Sequence, residues 1–485
     1  MPSLVRLVKQ TGVYTLGNVL LKAAGFALAF FTLDPAYLAQ EAFGRLAMLE
    51  TTAKVAIPLF GLGLSNGLLK FWGAPDAHAE RGALSFTALL GGAVLGVLGA
   101  LAVIALADPL ARWLLDGTEH AMAVRLIGVY IGAKVLAATP AAYLRNQEWV
   151  WLHVLAIGVE MVLLVVGAYV GLVVMEAGLV GLLWAYVASA GISALVMAGG
   201  MAVHLPWRLR WGGLRRLAAF GVPLAAAGVG VILLNLGDRY LLKALADLET
   251  VAVYDWAGRL ASVLYLLLVS SFSAAFSVLG VKNLEAGGGS AFHRRTFRHV
   301  VVGAGWASLA LGLGAFDLTR FVSPNPAFLG VETLALPLAV GFALYGTYYV
   351  LVTILYAEGR TGTIARNILL ATAVNVALNV ALIPAMGAMG AAVATVLSYG
   401  GLLAITARTV SREVGTRFDW TLLVRALALV GALYLLGHLT LEWNLVPRLA
   451  ARIALVGAYV PLIVALRVYS WEEVRGLLTR VGLGR

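Results

Sequence analysis

The residues of this sequence best suited to chemistry are ionisable groups set inside long apolar runs. Thr11, Thr15, Asn18 and Lys22 recur at spacings of four, three and four, which places them on one helical stripe. Glu50 and Lys54 stand one turn apart, and Lys134 lies in a later run. His153 and Glu160 share a face seven residues apart, and Asp255, Arg259 and Ser262 follow at spacings of four and three. A charge at the centre of a spanning helix costs about 2.5–3.5 kcal/mol on insertion scales, so such a group faces a partner or a hydrated cavity. The pairs Glu50 with Lys54 and Asp255 with Arg259 have the i, i+4 geometry for mutual neutralisation. Lys22 and Lys134 have no partner one turn away and are expected to face a cavity.

Fixed ammonium and guanidinium groups in a low-dielectric surround suit an anionic substrate, phosphates above all. Lys22, Lys54, Lys134 and Arg259, with Asn18, are therefore candidate substrate-binding residues. Glu50, Glu160 and Asp255 are candidates to carry a coupling proton or sodium ion, with internal salt bridging as the alternative. Tyr345, Tyr349 and Tyr356 share one face of a single run and can stack on sugars, or belong to an interfacial aromatic belt. Pro58, Pro140, Pro223 and Pro337 lie inside runs, where they kink helices for a gate or for packing.

Other chemistries are excluded. With no cysteine there is no disulfide framework, iron-sulfur cluster or thiolate zinc site. None of the seven lysines follows a glycine, so there is no Walker A loop for ATP. Among the histidines only His293 and His299 lie close together, and both read as part of a solvated basic loop. No metal and no cofactor are expected. Gly63-Leu64-Ser65-Asn66-Gly67 fits the Gly-x-Ser-x-Gly hydrolase pattern, but that pattern needs a strand-turn-helix setting. Here it closes an apolar run, where it reads as a helix-end turn that needs small residues.

The elements that must position these groups are set by composition. Of 485 residues 61% are apolar and 12% charged, and the mean hydropathy is +0.92. Soluble domains carry roughly 25% charged residues, so this is a membrane protein. A spanning helix takes about 20 residues. Runs of that size lie near 11–33, 42–63, 82–106, 121–143, 151–173, 178–203, 214–236, 252–279, 299–316, 331–356, 363–383, 388–407, 421–439 and 449–466. Counted over alternate connections, Lys and Arg divide 22 to 6, the pattern of cytoplasmic retention of positive charge. The richer side includes both ends of the chain, so both termini are expected in the cytoplasm. The net charge of +11 is thus topological, and no nucleic-acid partner is implied.

Residues Gly12 to Gly44 can be laid over Gly221 to Tyr254 at an offset of 209 to 210. Six runs precede the second copy, so both copies face the same way, as in a parallel repeat about an axis along the membrane normal. The expected fold is all-α and polytopic, with about 14 transmembrane helices: two pseudo-symmetric six-helix lobes, residues 1–210 and 211–415, and two C-terminal helices and a tail over 416–485.

Specific words within these runs resemble a known family. Asn235-Leu236-Gly237-Asp238-Arg239-Tyr240-Leu241-Leu242, followed by Val253-Tyr254-Asp255-Trp256-Ala257-Gly258-Arg259-Leu260, looks like helices 7 and 8 of the Wzx-type polysaccharide flippases. These belong to the multidrug/oligosaccharidyl-lipid/polysaccharide exporter superfamily. Asn375 to Pro384, then Gly387, Gly390-Ala391-Ala392-Val393-Ala394-Thr395 and Ser398-Tyr399, is similar to that family's helix 11–12 hairpin. Gly63-Leu64-Ser65 with Leu69-Lys70-Phe71 resembles the end of its helix 2. The resemblance implies a non-enzymatic flippase that moves an undecaprenyl-pyrophosphate-linked oligosaccharide between leaflets of the bacterial cytoplasmic membrane. Alternating access, driven by a proton or sodium gradient, is implied with it, and glycan assembly proteins are implied partners. Related members move the peptidoglycan precursor or export cationic drugs. The resemblance transfers no catalytic residue. Asp238 and Arg239 match its motif at the outer mouth of the seventh run, as a structural clamp or a substrate contact. An integral glycan polymerase or ligase is the further alternative.

Overall fold

The computed structural model describes residues 25–72, 81–273, 276, 280–281, 283–284, 289–467, 469–470, 472 and 475. Every regular element among them is helical. In chain order the principal helices are α1 (Gln40–Gly61), α2 (Leu64–Trp72), α3 (Arg81–Ala105), α4 (Ala107–Leu115), α5 (Ala121–Asn146), α6 (Val150–Tyr169), α7 (Gly178–Ala202) and α8 (Trp211–Leu236). They continue with α9 (Asp238–Leu245), α10 (Leu248–Leu264), α11 (Gly289–Val322), α12 (Val331–Ala357), α13 (Thr361–Met386), α14 (Ala388–Glu413), α15 (Trp420–His438) and α16 (Leu445–Ala465).

Among the described residues, twelve helices are long and apolar enough to cross a membrane, and α1 with α2 makes a thirteenth span bent by 53°. These thirteen match thirteen of the fourteen apolar runs. The remaining run, near 11–33, falls mostly outside the described residues.

The described residues of Met1–Ala252 with Val322–Asn325 form one compact unit, and those of Val253–Phe321 with Pro326–Arg485 form another. In the first, a core of large side chains that includes Leu68, Tyr143, Met197 and Leu217 is joined by contacts in which two spans meet at glycines. A Cβ on Gly96 of α3 would lie 2.6 Å from the carbonyl oxygen of Gly132 in α5, and one on Gly132 would lie 2.7 Å from that of Gly96. Lipid offers no hydrophobic drive for helix association, so such backbone contact is how spans gain dispersion energy.

The bend between α1 and α2 has a local cause. Leu62 has φ of 48° and Gly63 has φ of 62°, both left-handed. A Cβ on Gly63 would meet the Gly221 carbonyl oxygen of α8 at 2.2 Å, and one on Gly67 the Leu217 oxygen at 2.8 Å. The Gly-x-Ser-x-Gly segment is therefore a helix break pressed on a neighbouring span. Pro58, inside α1, deprives the helix of one backbone donor just before the break.

In the second unit α13 and α14 form a hairpin. Gly387 turns it with φ of 56° and ψ of −134°, a conformation open to glycine alone. A Cβ on Gly390 would come within 2.5 Å of the Leu382 carbonyl oxygen. Two asparagines one turn apart are linked: Asn379 Nδ2 donates to the Asn375 carbonyl oxygen at 2.8 Å and to its Oδ1 at 3.1 Å. Residues His293 to Arg298, expected as a solvated loop, instead belong to α11. His293 is buried, with its ring 5.1 Å from that of Phe276, and Arg298 pairs with Asp419 at 2.7 Å. Aromatic side chains of this stretch are packed: the Phe292 ring stacks on Phe276 at 5.7 Å, and the Phe297 ring lies 5.1 Å from that of Phe418.

Candidate functional site: paired charges within the spans

In the first unit the intramembrane charges of α1, α5 and α6 are brought into one connected cluster. Glu50 and Lys54 of α1 form an ion pair at 3.6 Å. Tyr186 of α7 donates its hydroxyl to Glu50 Oε1 at 2.6 Å, and its ring meets Tyr130 of α5 edge-on at 5.5 Å. One turn on from Tyr130, the Lys134 ammonium lies 5.8 Å from the Tyr130 ring centroid and is paired with Glu160 of α6. The counter-charge missing one turn from Lys134 therefore comes from another helix, 26 residues along the chain. Glu160 faces this lysine, and its sequence neighbour His153 is not required for the pair. The cluster holds two cations and two carboxylates, so its formal charge is zero.

Burial is graded within it. The side chains of Glu50 and Glu160 are 13% and 14% exposed, Lys134 is 27% exposed and Lys54 is 53% exposed. The carboxylates are thus held inside while the ammonium groups reach toward open space.

In the second unit Arg259 Nε donates to Asp255 Oδ2 at 2.7 Å along α10. Ser262 returns its hydroxyl to the Arg259 carbonyl oxygen at 2.6 Å. Between the members of this pair, Trp256 anchors the helix through a 2.9 Å hydrogen bond to Thr319 of α11. Asp255 is buried and Arg259 is 30% exposed. All three acids proposed as ion carriers are thus paired with cations proposed as anion binders. Lys22 and Asn18, with Thr11 and Thr15, lie outside the described residues.

Tyr345 is 1% exposed. Its ring stacks on Tyr399 at 4.8 Å and on Tyr265 at 6.2 Å, and Tyr349 meets it edge-on at 5.4 Å. Stacking of a sugar on Tyr345 would require this aromatic nest to open. Tyr356, the third tyrosine of the face, is exposed. The nest packs α12 on α14, a cause the shared face alone does not reveal.

Asp238 and Arg239 pair at 3.0 Å and are 5% and 6% exposed. Around them α9 is tied down on three sides. Tyr240 lies 3.0 Å from the Thr52 hydroxyl and stacks on Trp113 of α4, and Lys243 reaches Asp116 at 2.5 Å. Burial raises the Tyr240 phenol pKa above its ordinary value. This environment suits a clamp on α1 and α4.

One charged group was missed altogether. Asp317 near the end of α11 accepts from Arg448 at 2.6 Å and from Arg452 at 2.6 Å, both on α16. Arg452 also donates to the Leu313 carbonyl oxygen at 2.9 Å, and Arg448 to that of Trp443 at 2.8 Å. The spacing of four between the arginines was the available signal. A cavity of about 940 Å³ opens beside them, lined by Leu260, Gly314, Arg320, Trp443 and Leu449 among others. Among the described residues no cluster of three or more metal-ligating side chains occurs.

A family model described as polysaccharide biosynthesis protein matches residues 7–279, more than half of the chain. A second, described as the lipid II flippase MurJ, matches residues 322–464. Among curated proteins no significant sequence match is found. Among solved structures the fold is similar to a lipid II flippase MurJ in an inward closed conformation, with a TM-score of 0.74 at 11% identity over 94% of this chain and 99% of that one. It is also similar to a multidrug resistance MATE family transporter in an inward-facing conformation, with a TM-score of 0.67 at 13% identity over 81% and 94%. A transporter of the same superfamily from Pyrococcus furiosus gives a TM-score of 0.62 at 14% identity over 84% and 95%.

Proposed function

Because the chain belongs to the polysaccharide biosynthesis protein family, a family of multi-pass membrane transporters and not of enzymes, we propose that it flips a lipid-pyrophosphate-linked oligosaccharide across the bacterial cytoplasmic membrane. The reading includes both termini in the cytoplasm, an undecaprenyl carrier, and alternating access between two six-helix lobes with two appended helices. It rests on the family, on the division of positive charge along the sequence, and above all on the pairing of Lys134 with Glu160.

That pair supplies a mechanism. An ammonium held by a carboxylate carries no net charge, so an arriving pyrophosphate must take the lysine from its partner. Once the lysine has turned to phosphate, Glu160 is left unpaired in an apolar surround, and taking up a proton removes that penalty. Occupancy of the site and protonation of Glu160 are then linked: arrival of the pyrophosphate favours the protonated acid, and a proton lost from Glu160 favours return of Lys134 and release of the glycan. Glu50 with Lys54 and Asp255 with Arg259 can work in the same way, with the Tyr186 hydroxyl remaining on Glu50 to hold it in place.

The test is translocation of a lipid-pyrophosphate oligosaccharide in proteoliposomes by the parent chain and by Lys22→Ala, Lys54→Ala, Lys134→Ala and Arg259→Ala. Loss of movement in folded Lys134→Ala and Arg259→Ala is expected. Full movement in all four would sink the site, and no movement by the parent across several donors would favour a drug or cation antiporter. The match of residues 322–464 to the lipid II flippase model supports one second reading, a peptidoglycan lipid precursor as cargo. Lipid II as the donor in the same assay separates the two.

A further inference from the structure

The two acids of the first unit's cluster each have a lysine, but their remaining partners differ. Glu50 holds the Tyr186 hydroxyl at 2.6 Å as well as Lys54 at 3.6 Å, so it keeps a donor when the lysine leaves. Among the described residues Lys134 is the sole hydrogen-bond and ion-pair partner of Glu160. A carboxylate that loses such a partner inside a span carries a desolvation penalty until a donor or a proton reaches it.

Tyr130 is placed to be that donor. It precedes Lys134 by four residues on α5, which puts both on one face. Its ring centroid lies 5.8 Å from the Lys134 ammonium, so Tyr130 and Glu160 are neighbours of the same ammonium group. The ring is set edge-on to that of Tyr186 at 5.5 Å. Both carboxylates of the cluster act electrostatically on the Tyr130 phenol, Glu160 more strongly than Glu50. Yet the Tyr130 hydroxyl makes no hydrogen bond among the described residues, and the residue is only partly buried. Among the helices packed on α5, α7 carries no titratable side chain but Tyr186, α3 none but Arg81 at its first residue, and α2 none but Lys70 in its last turn. On α1 the groups at this level are Glu50 and Lys54, and on α6 Glu160, with His153 two turns earlier. Asp108 of α4 is taken by Arg125.

We propose that Tyr130 is a positioning residue for transport: when the cargo's phosphate takes Lys134, the Tyr130 hydroxyl turns to donate to the Glu160 carboxylate. This deepens the exchange of ion pairs described under the proposed function and rests on it. Tyr130 then does for Glu160 what Tyr186 does for Glu50, but only after the lysine has left. Because the hydroxyl gains its bond in the cargo-bound state alone, it strengthens cargo binding without stabilising the empty protein. Once Glu160 has taken a proton the bond joins neutral groups and contributes less. The contribution of Tyr130 is therefore greatest at high pH.

Binding of farnesyl pyrophosphate to the full-length chain in detergent is measured by titration calorimetry at pH 8 and pH 5.5. Tyr130→Phe keeps the ring beside Lys134 and removes only the hydroxyl. Its thermal melt should match the parent's, and a lower melt would overturn the proposal by showing a bond already present in the empty protein. The variant is expected to bind about tenfold more weakly at pH 8, the effect of one hydrogen bond to a charged group, and no more than about threefold more weakly at pH 5.5. Protonation of the probe acts on parent and variant alike, so their ratio reports the protein. In a Glu160→Gln chain, which has no carboxylate to receive the hydroxyl, Tyr130→Phe should change binding by less than about threefold at either pH. Equal weakening at the two pH values, or the full loss in the Glu160→Gln chain, would overturn the proposal. Unchanged binding by Tyr130→Phe beside weakened binding by Lys134→Ala would overturn the role of Tyr130 and leave the exchange of ion pairs standing. Unchanged binding by Lys134→Ala, or no binding by the parent, would overturn that exchange and the role of Tyr130 with it.

Discussion

Lys134→Met, Glu160→Gln and the two together form a cycle whose outcome follows from burial. Either single change leaves the other charge inside the membrane without its partner. Breaking a fully buried pair costs about 3–5 kcal/mol. Here Lys134 is 27% and Glu160 14% exposed, so water relieves part of that cost, and about 2–3 kcal/mol is expected for each single change. The double variant carries neither charge and should fall within about 1 kcal/mol of the parent, because replacing both members of a buried pair is often neutral. The coupling energy should then be at least about 3 kcal/mol, at or above the upper end for residues in contact. Unfolding of the detergent-purified chain, followed by tryptophan fluorescence, measures the stabilities, and translocation in proteoliposomes is measured alongside. The double variant is expected to be as stable as the parent and to move no lipid-linked glycan. Single variants each within about 0.5 kcal/mol of the parent, or a double variant that equals the sum of the singles, would refute the view that these groups neutralise one another.

Gly63→Ala should cost more than Gly221→Ala. Both place a Cβ against the opposite backbone, at 2.2 and 2.4 Å, an overpacking worth about 1–3 kcal/mol. Only Gly63 also has a left-handed backbone, which adds about 1–2 kcal/mol; equal losses in thermal melts would contradict this. Asp317→Asn, which strands two buried arginines, is expected to destabilise by about 3–5 kcal/mol. Arg298→Gln, from a pair 28% and 39% exposed, should stay within about 1 kcal/mol in the same melts.

The spans were legible because twenty consecutive apolar residues are a signal carried by composition alone. The pairs within α1 and α10 were legible for a similar reason, since one turn of helix brings residues four apart together. The partner of Lys134 was not, because it depends on which faces of α5 and α6 meet. The stacking of Tyr345 was hidden because α12 is buried nearly all round, with 19 of its 27 residues enclosed, so no stripe distinguishes an accessible tyrosine from a packed one. Arg448 and Arg452 counted only as charges of an outer connection, because their partner Asp317 is 131 and 135 residues away. The words that carried the family resemblance are largely packing words. Gly63, Gly387, Gly390 and Asn379 mark a break, a turn, a close approach and an amide that bonds one turn back along its own helix. They identify the scaffold and leave the cargo unnamed.

The order in which these charges find their partners has a consequence for how the chain enters the bilayer. Glu50 with Lys54 and Asp255 with Arg259 each lie within a single helix, and Lys134 with Glu160 on two successive ones. Each charge would oppose insertion by about 2.5–3.5 kcal/mol if it left the translocon alone. As a helix or a two-helix hairpin, each pair can leave already neutral during synthesis, before any later span exists. The two arginines that hold Asp317 both belong to α16, the last of the described spans. The hairpin of α15 and α16 therefore satisfies a charge laid down much earlier in synthesis, and a nascent chain that stops short of it lacks both of the arginines that hold Asp317 in the folded protein.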